Sequence, residues 1–569
     1  MKKIKLTALI LTAVFAVILL GACGNQGSDR SSVSVDLSDP RLHPDPVLAR
    51  AGLDRDMRFL TTRTITVGIW DRATEADPTP ENNFWTTYIR EGMMREHNVN
   101  VEYIAIPRWT EVEFLNNLMA AGNSPDVIST FSYPTILTYA NMGGIMDMAP
   151  LIRDYRHIMP SVVELLTDDN LYWNQDPRTG TIWAIPGRLA INPGLNLFVR
   201  QDWLDILGLS YPTNLQEFEA MLYAFQANAS RLLPPGRSPS ELIAFGVTTD
   251  MGWTARNLIG SFIDHNISDR DWFIHGFDDR FYTQPGTQDA LRLLNRWYND
   301  GLLWNDFALG GALGIEDYMK IGLVGAYMQN WDTPFRGGGV DINTTLQRML
   351  GEQAYFAAVN PSPFLNNAGY PRRHLSAATD RTIAFPASNT EPVASLLYLE
   401  FITRQDNLTF MQFGVEGINH RRHPDGALEM IQAGAPHAIN SVNNFDYTIT
   451  INGVRMATPE LTVRSLALSY PGIPAEHVLQ AFYIPQSYDR SGRNVQVGEI
   501  MAESGIGPSL NELRNVAYSQ SLIASPADFD RVWNQNMAAY LAAGGQAIMD
   551  ERREAWQRVY GNAVNIPKQ

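Results

Sequence analysis

Cysteine is almost absent from this chain of 569 residues, in which Cys23 is the only one. The chain after Cys23 can therefore form no disulfide, and it offers no cysteine nucleophile and no cysteine–zinc site. It also lacks a Gly-x-Ser-x-Gly elbow, a His-Glu-x-x-His helix and a phosphate-binding glycine loop. After residue 22 no apolar run reaches the roughly 18 residues that would predict a membrane-spanning helix.

The first 23 residues predict export and lipidation. Three lysines among the first five residues precede a mostly apolar run over residues 6–20, which is typical of a signal peptide. The run ends in Leu20-Gly-Ala-Cys23, which resembles a bacterial lipobox, and a polar segment follows. We predict cleavage after residue 22 and lipidation of Cys23. The alternative is an ordinary signal peptide with a chance cysteine.

The acidic charge balance restricts the partners. Removing residues 1–22 deletes three lysines and no acid, so the formal net charge falls from −16 to −19. This charge disfavours binding to nucleic acid and to anionic lipid. A hydrophobic content of 45% with 10% aromatic residues supports a large packed core, and the length predicts more than one domain.

The order of the predicted elements indicates an α/β fold. Residues 64–70, 100–106 and 126–129 are predicted strands, separated by helices at 84–96 and from Thr110, where Glu113 completes a capping box. Strands that alternate with helices form parallel sheets covered by helices. A second α/β set follows, with predicted strands at 195–200, 244–248, 324–329 and 381–385.

Candidate binding residues follow the ends of two of these strands. Trp70 and Asp71 end the first strand, and Ser129, Thr130 and Phe131 end the third. Ligands of α/β sheets bind at the carboxyl ends of the strands. These residues are therefore predicted to line a ligand site.

The chain resembles bacterial extracellular solute-binding lipoproteins of ABC importers, of the carbohydrate-type family 1 with its long Gram-positive members. The lipobox, the strand ending in Trp70-Asp71 and Ser124-Pro-Asp-Val-Ile128 carry the resemblance. Further agreement comes, in the family's order, from residues 184–188, 196–204, 320–325 before Trp331-Asp332, and 413–418. The resemblance covers about residues 60–565.

The resemblance implies a type II fold of two lobes, each a mainly parallel sheet flanked by helices, with a ligand cleft between them. The implied parts are a signal peptide 1–22, a tether 23–60, lobe 1 from 61–190 plus 376–430, and lobe 2 from 191–375 plus 431–569. Hinges are expected near 187–195, 373–381 and 420–440. The implied protein is a lipid-anchored monomer on the extracellular face of the cytoplasmic membrane, and it passes a carbohydrate to ABC importer subunits.

A sugar site needs flat aromatic rings together with carboxylates, amides and arginines that bond hydroxyl groups. Beyond the strand-end residues above, the predicted ligand-binding residues are Arg188, Trp253, Trp331, Asp332 and Glu416. Arg188 and Glu416 could instead form salt bridges at a hinge, and each tryptophan could instead be packed in the core. Core positions are expected for Trp85, Trp109, Trp297 and Trp533.

Three alternatives to a sugar-binding protein stay open at the level of the sequence. An exported glycoside hydrolase needs two carboxylates about 5–10 Å apart, and sixty acidic residues make chance pairs uninformative. A surface adhesin is the second, and a peptide or polyol ligand the third. We predict no enzyme activity, cofactor or metal, and interpret Asp168-Asp-Asn170 and His420-Arg-Arg-His423 as solvated loops.

The lipidation prediction is tested by the substitution Cys23→Ser. Without the thiol no diacylglyceryl group can be attached, so the variant should leave the membrane fraction or retain an uncleaved signal peptide. Cell fractionation followed by mass spectrometry of the N-terminal peptide measures this. An unmodified N-terminus at another position in the wild-type protein would contradict the prediction.

Overall fold

The computed structural model describes residues 33–566 except 73–78, 167–174, 176–178, 191–193, 265, 279, 309–313, 337–340, 361–378, 432–445, 488–494, 496, 498–499 and 504–505. Cys23 and the acidic run Asp168-Asp-Asn170 lie outside the described residues. The lipidation of Cys23 therefore stays a prediction.

The strands divide into sheets that belong to different parts of the chain. In chain order they are β1 Arg63–Asp71, β2 Val99–Pro107, β3 Ile128–Thr130, β4 Ile185–Leu189, β5 Leu195–Arg200, β6 Ile243–Gly246, β7 Val324–Asn330, β8 Phe356–Val359, β9 Thr379–Ala384, β10 His420–Arg422, β11 Leu428–Met430 and β12 Ile451–Asn452. β1, β2, β5 and β7 lie within two residues of their predicted bounds.

Lobe 1 is built on β1, β2, β3, β9, β4 and β12. β1 and β2 run parallel, with Trp70 opposite Ile106. A parallel bridge between Val67 and Val127 joins β1 to the segment that leads into β3. The remaining strands lie in the order β3-β9-β4-β12. Lobe 2 has the sheet β6-β7-β5-β8.

The two-lobe α/β class expected from the sequence is confirmed, whereas the mainly parallel pairing is wrong because both sheets are mixed. β9 runs antiparallel to β3 and β4, and β5 runs antiparallel to β7 and β8. β5 and β9 are the strands with which the chain enters a lobe from the other lobe. Each of these two strands begins at the sheet edge where the neighbouring strands of its lobe end, so it runs antiparallel to them.

Helices cover the sheets of both lobes. Those of lobe 1 are Pro46–Ala51, Phe84–His97, Glu111–Ala120, Tyr133–Asn141, Met148–Tyr155, Pro160–Leu165, Pro392–Thr403 and Gln405–Phe413. Those of lobe 2 are Gln201–Leu207, Leu215–Ala227, Ala229–Leu232, Met251–Thr254, Arg256–Ser261, Asp269–His275, Thr287–Asn299, Gly314–Lys320, Ile342–Leu350, Pro459–Ala467, Ala475–Ser487, Gly507–Ile523, Phe529–Tyr540 and Gln546–Tyr560.

The predicted capping box at Thr110 is wrong. Thr110 ends a 3-10 turn, Arg108–Thr110, and its side chain makes no capping hydrogen bond. The α-helix begins at Glu111 because this carboxylate turns inward and accepts hydrogen bonds from β3 and the residue after it. The tight turn that results sets the direction of Trp109.

The second half of the predicted tether belongs to lobe 1. Leu48, Leu53 and Phe59 are buried in the same hydrophobic cluster as Ile65 and Val67 of β1. Asp45 caps the helix Pro46–Ala51 by accepting a hydrogen bond from the backbone of Val47. A tether needs no apolar side chains, so these three residues mark docked structure rather than a linker.

The boundary of lobe 1 differs from the predicted one near the third hinge. Phe413 and Leu428 are buried in the lobe 2 core, although the sequence placed them in lobe 1. Tyr447 and Ile449 are buried in the lobe 1 core, and β12 pairs with β4, although the sequence placed this segment in lobe 2. Local pattern cannot reveal this exchange, because the pairing partner of β12 lies more than 250 residues away.

Along the described residues, the chain therefore passes from the core of one lobe to that of the other five times, whereas the sequence predicted three crossings. The changes fall between β4 and β5, between β8 and β9, near Gly414, between β11 and Tyr447, and after β12. Gly414 has a φ of 72°, and a β-carbon there would lie 2.5 Å from Oδ1 of Asn419. Glycine is therefore required where the chain leaves the helix Gln405–Phe413.

Docking of the N-terminal segment is tested by a pair of leucines. Leu48 is fully buried and Leu37 is 61% exposed. Leu48→Ala should lower the free energy of unfolding by about 2–5 kcal/mol, because it removes methylene groups and leaves a cavity. Leu37→Ala should change it by less than about 0.5 kcal/mol. Urea denaturation followed by circular dichroism measures both, and equal effects would show that the segment does not pack on lobe 1.

Candidate functional site

Three strand ends of lobe 1 bring aromatic rings and arginines together. β1 and β2 are in parallel register, so Asp71 lies opposite Pro107, and Arg108 and Trp109 follow Pro107 directly. β3 ends at Thr130 and is followed by Phe131. We call Trp70, Arg72, Arg108, Trp109 and Phe131 the arginine–aromatic ledge.

Two stacked rings with a guanidinium group over each of them form the inner part of the ledge. The rings of Trp70 and Phe131 are stacked, with centroids 4.8 Å apart and planes 20° apart. The guanidinium of Arg108 lies 4.1 Å from the Phe131 centroid, and that of Arg381 lies 4.9 Å from the Trp70 centroid. Cation–π contacts of this kind hold flat groups in fixed positions. Trp70 is buried, so it supports the ledge from below.

Trp109 forms the outer part of the ledge. It is 74% exposed, whereas Trp85, Trp297 and Trp533 are buried as expected. The core position predicted for Trp109 is wrong because the residue lies in the tight turn before the helix. The guanidinium groups of Arg108 and Arg72 lie 5.4 Å and 5.9 Å from its ring centroid. The strand-end rule, applied to the second predicted strand, would have found Arg108 and Trp109.

Glu111 and Asp446 hold the arginines of the ledge. Glu111 Oε2 is 3.2 Å from Nη1 of Arg108, and its Oε1 accepts hydrogen bonds from Thr130 Oγ1 and the backbone of Phe131. Asp446 accepts two hydrogen bonds from Arg72, through Nε and Nη2. Burial lowers the pKa of Arg108, which Glu111 opposes.

Asp446 also binds a buried arginine behind the ledge. Its Oδ1 lies 3.4 Å from Nη2 of Arg381, which is in β9. Arg381 in turn donates to the carbonyl of Thr448. No local pattern predicts the role of Asp446, because it lies 374 residues from Arg72.

The other lobe 1 candidates have supporting positions or lie apart from the ledge. Ser129 and Thr130 are buried in β3, and Thr130 donates to Glu111. Asp71 is half-buried, and strand alternation directs it to the face opposite Trp70. Arg188 is half-buried in β4, and its backbone N–H donates to Thr450.

Glu416 lies on the lobe 2 side of the crossing near Gly414. Its side chain is 59% exposed, and Oε2 is 3.9 Å from Nε of Arg422. This is a surface ion pair, of the kind that stabilises little. A ligand-binding role for Arg188 or Glu416 stays a prediction.

Trp253 belongs to the helix Met251–Thr254 and lies beside the end of β7 in lobe 2. Its indole N–H donates to Oε1 of Gln329 at 2.6 Å. The guanidinium groups of Arg280 and Arg256 lie 4.7 Å and 5.4 Å from its ring. Asp250 holds Arg280 through two hydrogen bonds. Lobe 2 therefore has a second indole ring that contacts two arginines. The ring of Trp253 is half-buried.

Trp331 packs inside lobe 2. It is 6% exposed, and its ring meets Tyr470 and Phe482 edge-on, with centroids 6.1 Å and 5.6 Å away. Asp332 accepts a hydrogen bond from the Tyr470 hydroxyl at 3.2 Å and pairs with Arg336. This burial leaves little ring surface for a sugar. Stacking of a sugar on Trp331 stays a prediction. The burial of the ring in lobe 2 disfavours it.

The ledge and Trp253 lie at the edges from which the chain crosses between lobes. β3 is antiparallel to β9, with Thr130 opposite Thr382, so the ledge lies near the start of β9. β7 is antiparallel to β5, with Asn330 opposite Leu195, so Trp253 lies near the start of β5. Both strands begin at crossings, so each edge faces the other lobe.

Within the described part of the chain, no group of three or more histidine, cysteine, aspartate or glutamate side chains could hold a metal ion. Among the same residues, no helix has the length and apolar character needed to cross a membrane.

Comparison with known proteins identifies the fold. No protein-family model matches the chain. It is 20% identical over 336 residues to the polygalacturonan/rhamnogalacturonan-binding protein YtcQ of Bacillus subtilis (strain 168), a match that covers 58% of this chain and 62% of YtcQ. The match thus spans less than two thirds of that relative's length.

Solved structures match over most of the chain. The alginate-binding protein AlgQ2, without calcium ion, is 15% identical with a TM-score of 0.62, covering 88% of this chain and 99% of AlgQ2. The ABC-transporter substrate-binding protein FusA of S. pneumoniae, in complex with kestose, is 14% identical with a TM-score of 0.58, covering 88% and 100%. The fold is that of type II solute-binding proteins, as the sequence predicted.

The contrast between Trp331 and Trp109 gives a matched pair of substitutions. Trp331→Ala should destabilise the empty protein by about 3–5 kcal/mol, because it empties a packed core site. Trp109→Ala should change stability by less than about 0.5 kcal/mol. It should weaken ligand binding about 5- to 150-fold, by analogy with the loss of one stacking ring.

Melting curves and calorimetric titrations of both variants measure these effects. The reverse result, in which Trp331→Ala loses affinity and keeps its melting temperature, would make Trp331 the stacking residue.

Proposed function

We propose that this protein captures an oligosaccharide between its two lobes and delivers it to an ABC importer. The observation that carries the proposal is the exposed indole of Trp109, flanked by two guanidinium groups at the edge of lobe 1 that faces lobe 2. An indole face suits the apolar face of a pyranose, and guanidinium donors suit its oxygen atoms.

Lobe 2 supports the proposal with a comparable group. Trp253 is held by Gln329 and lies beneath Arg256 and Arg280. A ligand placed between the two edges would contact an indole and arginines on both sides. Several crossings between the lobes allow hinge closure, in which the ligand shifts a pre-existing equilibrium towards the closed form.

The named ligands of similar proteins support the class of ligand. YtcQ is named for binding polygalacturonan and rhamnogalacturonan, AlgQ2 for binding alginate, and FusA is in complex with kestose. All are carbohydrates, so a carbohydrate ligand is favoured over a peptide or polyol. The importer subunits are the partner, and the lipid on Cys23 holds the protein at the extracellular face of the cytoplasmic membrane.

A glycoside hydrolase is the alternative that needs a direct test. Both carboxylates at the ledge, Glu111 and Asp446, are bonded to arginines, which suits positioning rather than proton transfer. Incubation with oligosaccharides followed by mass spectrometry separates the two functions. A binding protein returns the oligosaccharide intact, whereas a hydrolase yields shorter products.

Binding and closure are tested on an anchor-free form of the chain, residues 24–569. A glycan library screened by thermal shift should contain a ligand that adds roughly 2.7 kcal/mol of stability at 100 times its Kd. Small-angle scattering at saturation should then show a smaller radius of gyration than the empty protein.

Two results would contradict different parts of the proposal. No stabilising oligosaccharide in the library would contradict the proposed function. A stabilising oligosaccharide with an unchanged scattering profile would contradict closure alone.

A further inference from the structure

The ledge offers hydrogen-bond donors and few acceptors. The indole of Trp109 and the guanidinium groups of Arg72 and Arg108 carry only donors. Both oxygens of Glu111 are engaged, by Arg108 on one side and by Thr130 and Phe131 on the other. A sugar hydroxyl that donates a hydrogen bond therefore finds no free carboxylate oxygen on Glu111.

Asp446 is engaged in the same way. Its Oδ1 accepts from Arg72 at 2.9 Å and from Arg381 at 3.4 Å, and its Oδ2 accepts from Nε of Arg72. Only 4% of its side chain is exposed. The second carboxylate of the site is thus used to hold arginines, and it is turned away from solvent.

Among the described residues, cations outnumber anions beside Arg108. The charged groups with the largest effect on it are Glu111, Arg72, Asp446 and Arg381, so this set together with Arg108 has three guanidinium groups and two carboxylates. Asp71 follows Trp70 on β1 but points to the other face of the strand. This local excess occurs in a chain with a formal net charge of −16.

Arg108 also has donor capacity that the protein does not use. Its Nη1 pairs with Glu111 at 3.2 Å, and the guanidinium makes no other hydrogen bond to the described residues. Its Nε is enclosed, so a ligand carboxylate would bind at the Nη1 and Nη2 side of the group. Its side chain is 20% exposed, so the guanidinium reaches the surface beside Trp109. A guanidinium with free donors matches the planar, acceptor-only geometry of a carboxylate.

We propose that the ledge selects an acidic oligosaccharide, in which a uronate ring stacks on Trp109 and its carboxylate binds Arg108, with Arg72 beside it. The ring centroid of Trp109 lies 5.4 Å and 5.9 Å from these two guanidinium groups. A uronate ring on the open part of the indole would bring the carboxylate at its C5 towards these guanidinium groups. The inference rests on the proposed function and names the substrate class of the same site.

The test compares each acidic ligand with its own neutral form. Oligogalacturonates, oligoglucuronates and oligomannuronates of three to six residues, and the methyl ester of each, are titrated into the mature wild-type protein by calorimetry. At least one acid should bind on the order of 10-fold or more tightly than its ester, since charge-assisted hydrogen bonds are lost on esterification. The preference should shrink as salt is raised, because screening weakens the ionic contact.

Two arginine variants assign the preference to the ledge. Arg108→Gln should reduce affinity for the acid to nearly that of the ester, with little effect on the ester itself. The matched control is Arg153→Gln, a lobe 1 arginine that is 71% exposed and paired with Asp154. It should keep the preference, and circular dichroism checks that both variants are folded.

The outcomes separate this inference from the proposed function. If acids and esters bind equally, or if only neutral oligosaccharides bind, the acidic class is wrong and oligosaccharide capture stands. If Arg108→Gln weakens acid and ester alike, Arg108 does not carry the preference. If none of these acids and esters binds while the glycan library contains a stabilising oligosaccharide, the inference alone fails. If the library contains none either, both the inference and the proposed function fail.

Discussion

The carboxylate of Asp446 is the constraint on which the candidate site depends. It neutralises Arg72 and Arg381 together, and its side chain is almost fully buried. Removing one partner of a buried ion pair costs several kcal/mol, because the remaining charges stay buried without compensation. Since Arg381 also lies over Trp70, Asp446 fixes the support beneath Phe131 and Arg108 as well. A segment that returns from lobe 2 thus completes the binding edge of lobe 1.

This arrangement couples the site to the connection between the lobes. Residues 446–452 enter lobe 1 only briefly, between parts of the chain that pack in lobe 2. Directly after β12, Gly453 accepts a hydrogen bond from Gln412, and Arg455 pairs with Glu164. A movement of lobe 2 would therefore act on the segment that holds Arg72. Any closure of the lobes would therefore act on the arginines through this short stretch of backbone.

Local pattern was sufficient for most of the fold and for part of the site. Alternation and strand–helix order predicted β1, β2, β5 and β7, because apolar periodicity is a property of neighbouring residues. The strand-end rule placed Trp70 and Phe131 at the right edge. Trp109 was missed because its exposure depends on Glu111 turning towards β3. Asp446 was missed because its partners are distant in sequence. The antiparallel direction of β5 and β9 was missed because it depends on which lobe the chain has left.

The packing of the tryptophans explains why the number of aromatic residues alone cannot define a sugar site. Trp70 lies near the end of β1 and Trp331 follows β7, and both are buried, so their rings stabilise a lobe rather than offer a face. Trp109 differs because a single 3-10 turn projects it beyond the sheet edge. An exposed indole costs stability, since about 25 cal/mol is lost for each Å2 of apolar surface left in water. Such a cost is offset when a ligand covers the ring, which makes the exposed tryptophan, rather than the buried ones, the residue that indicates binding.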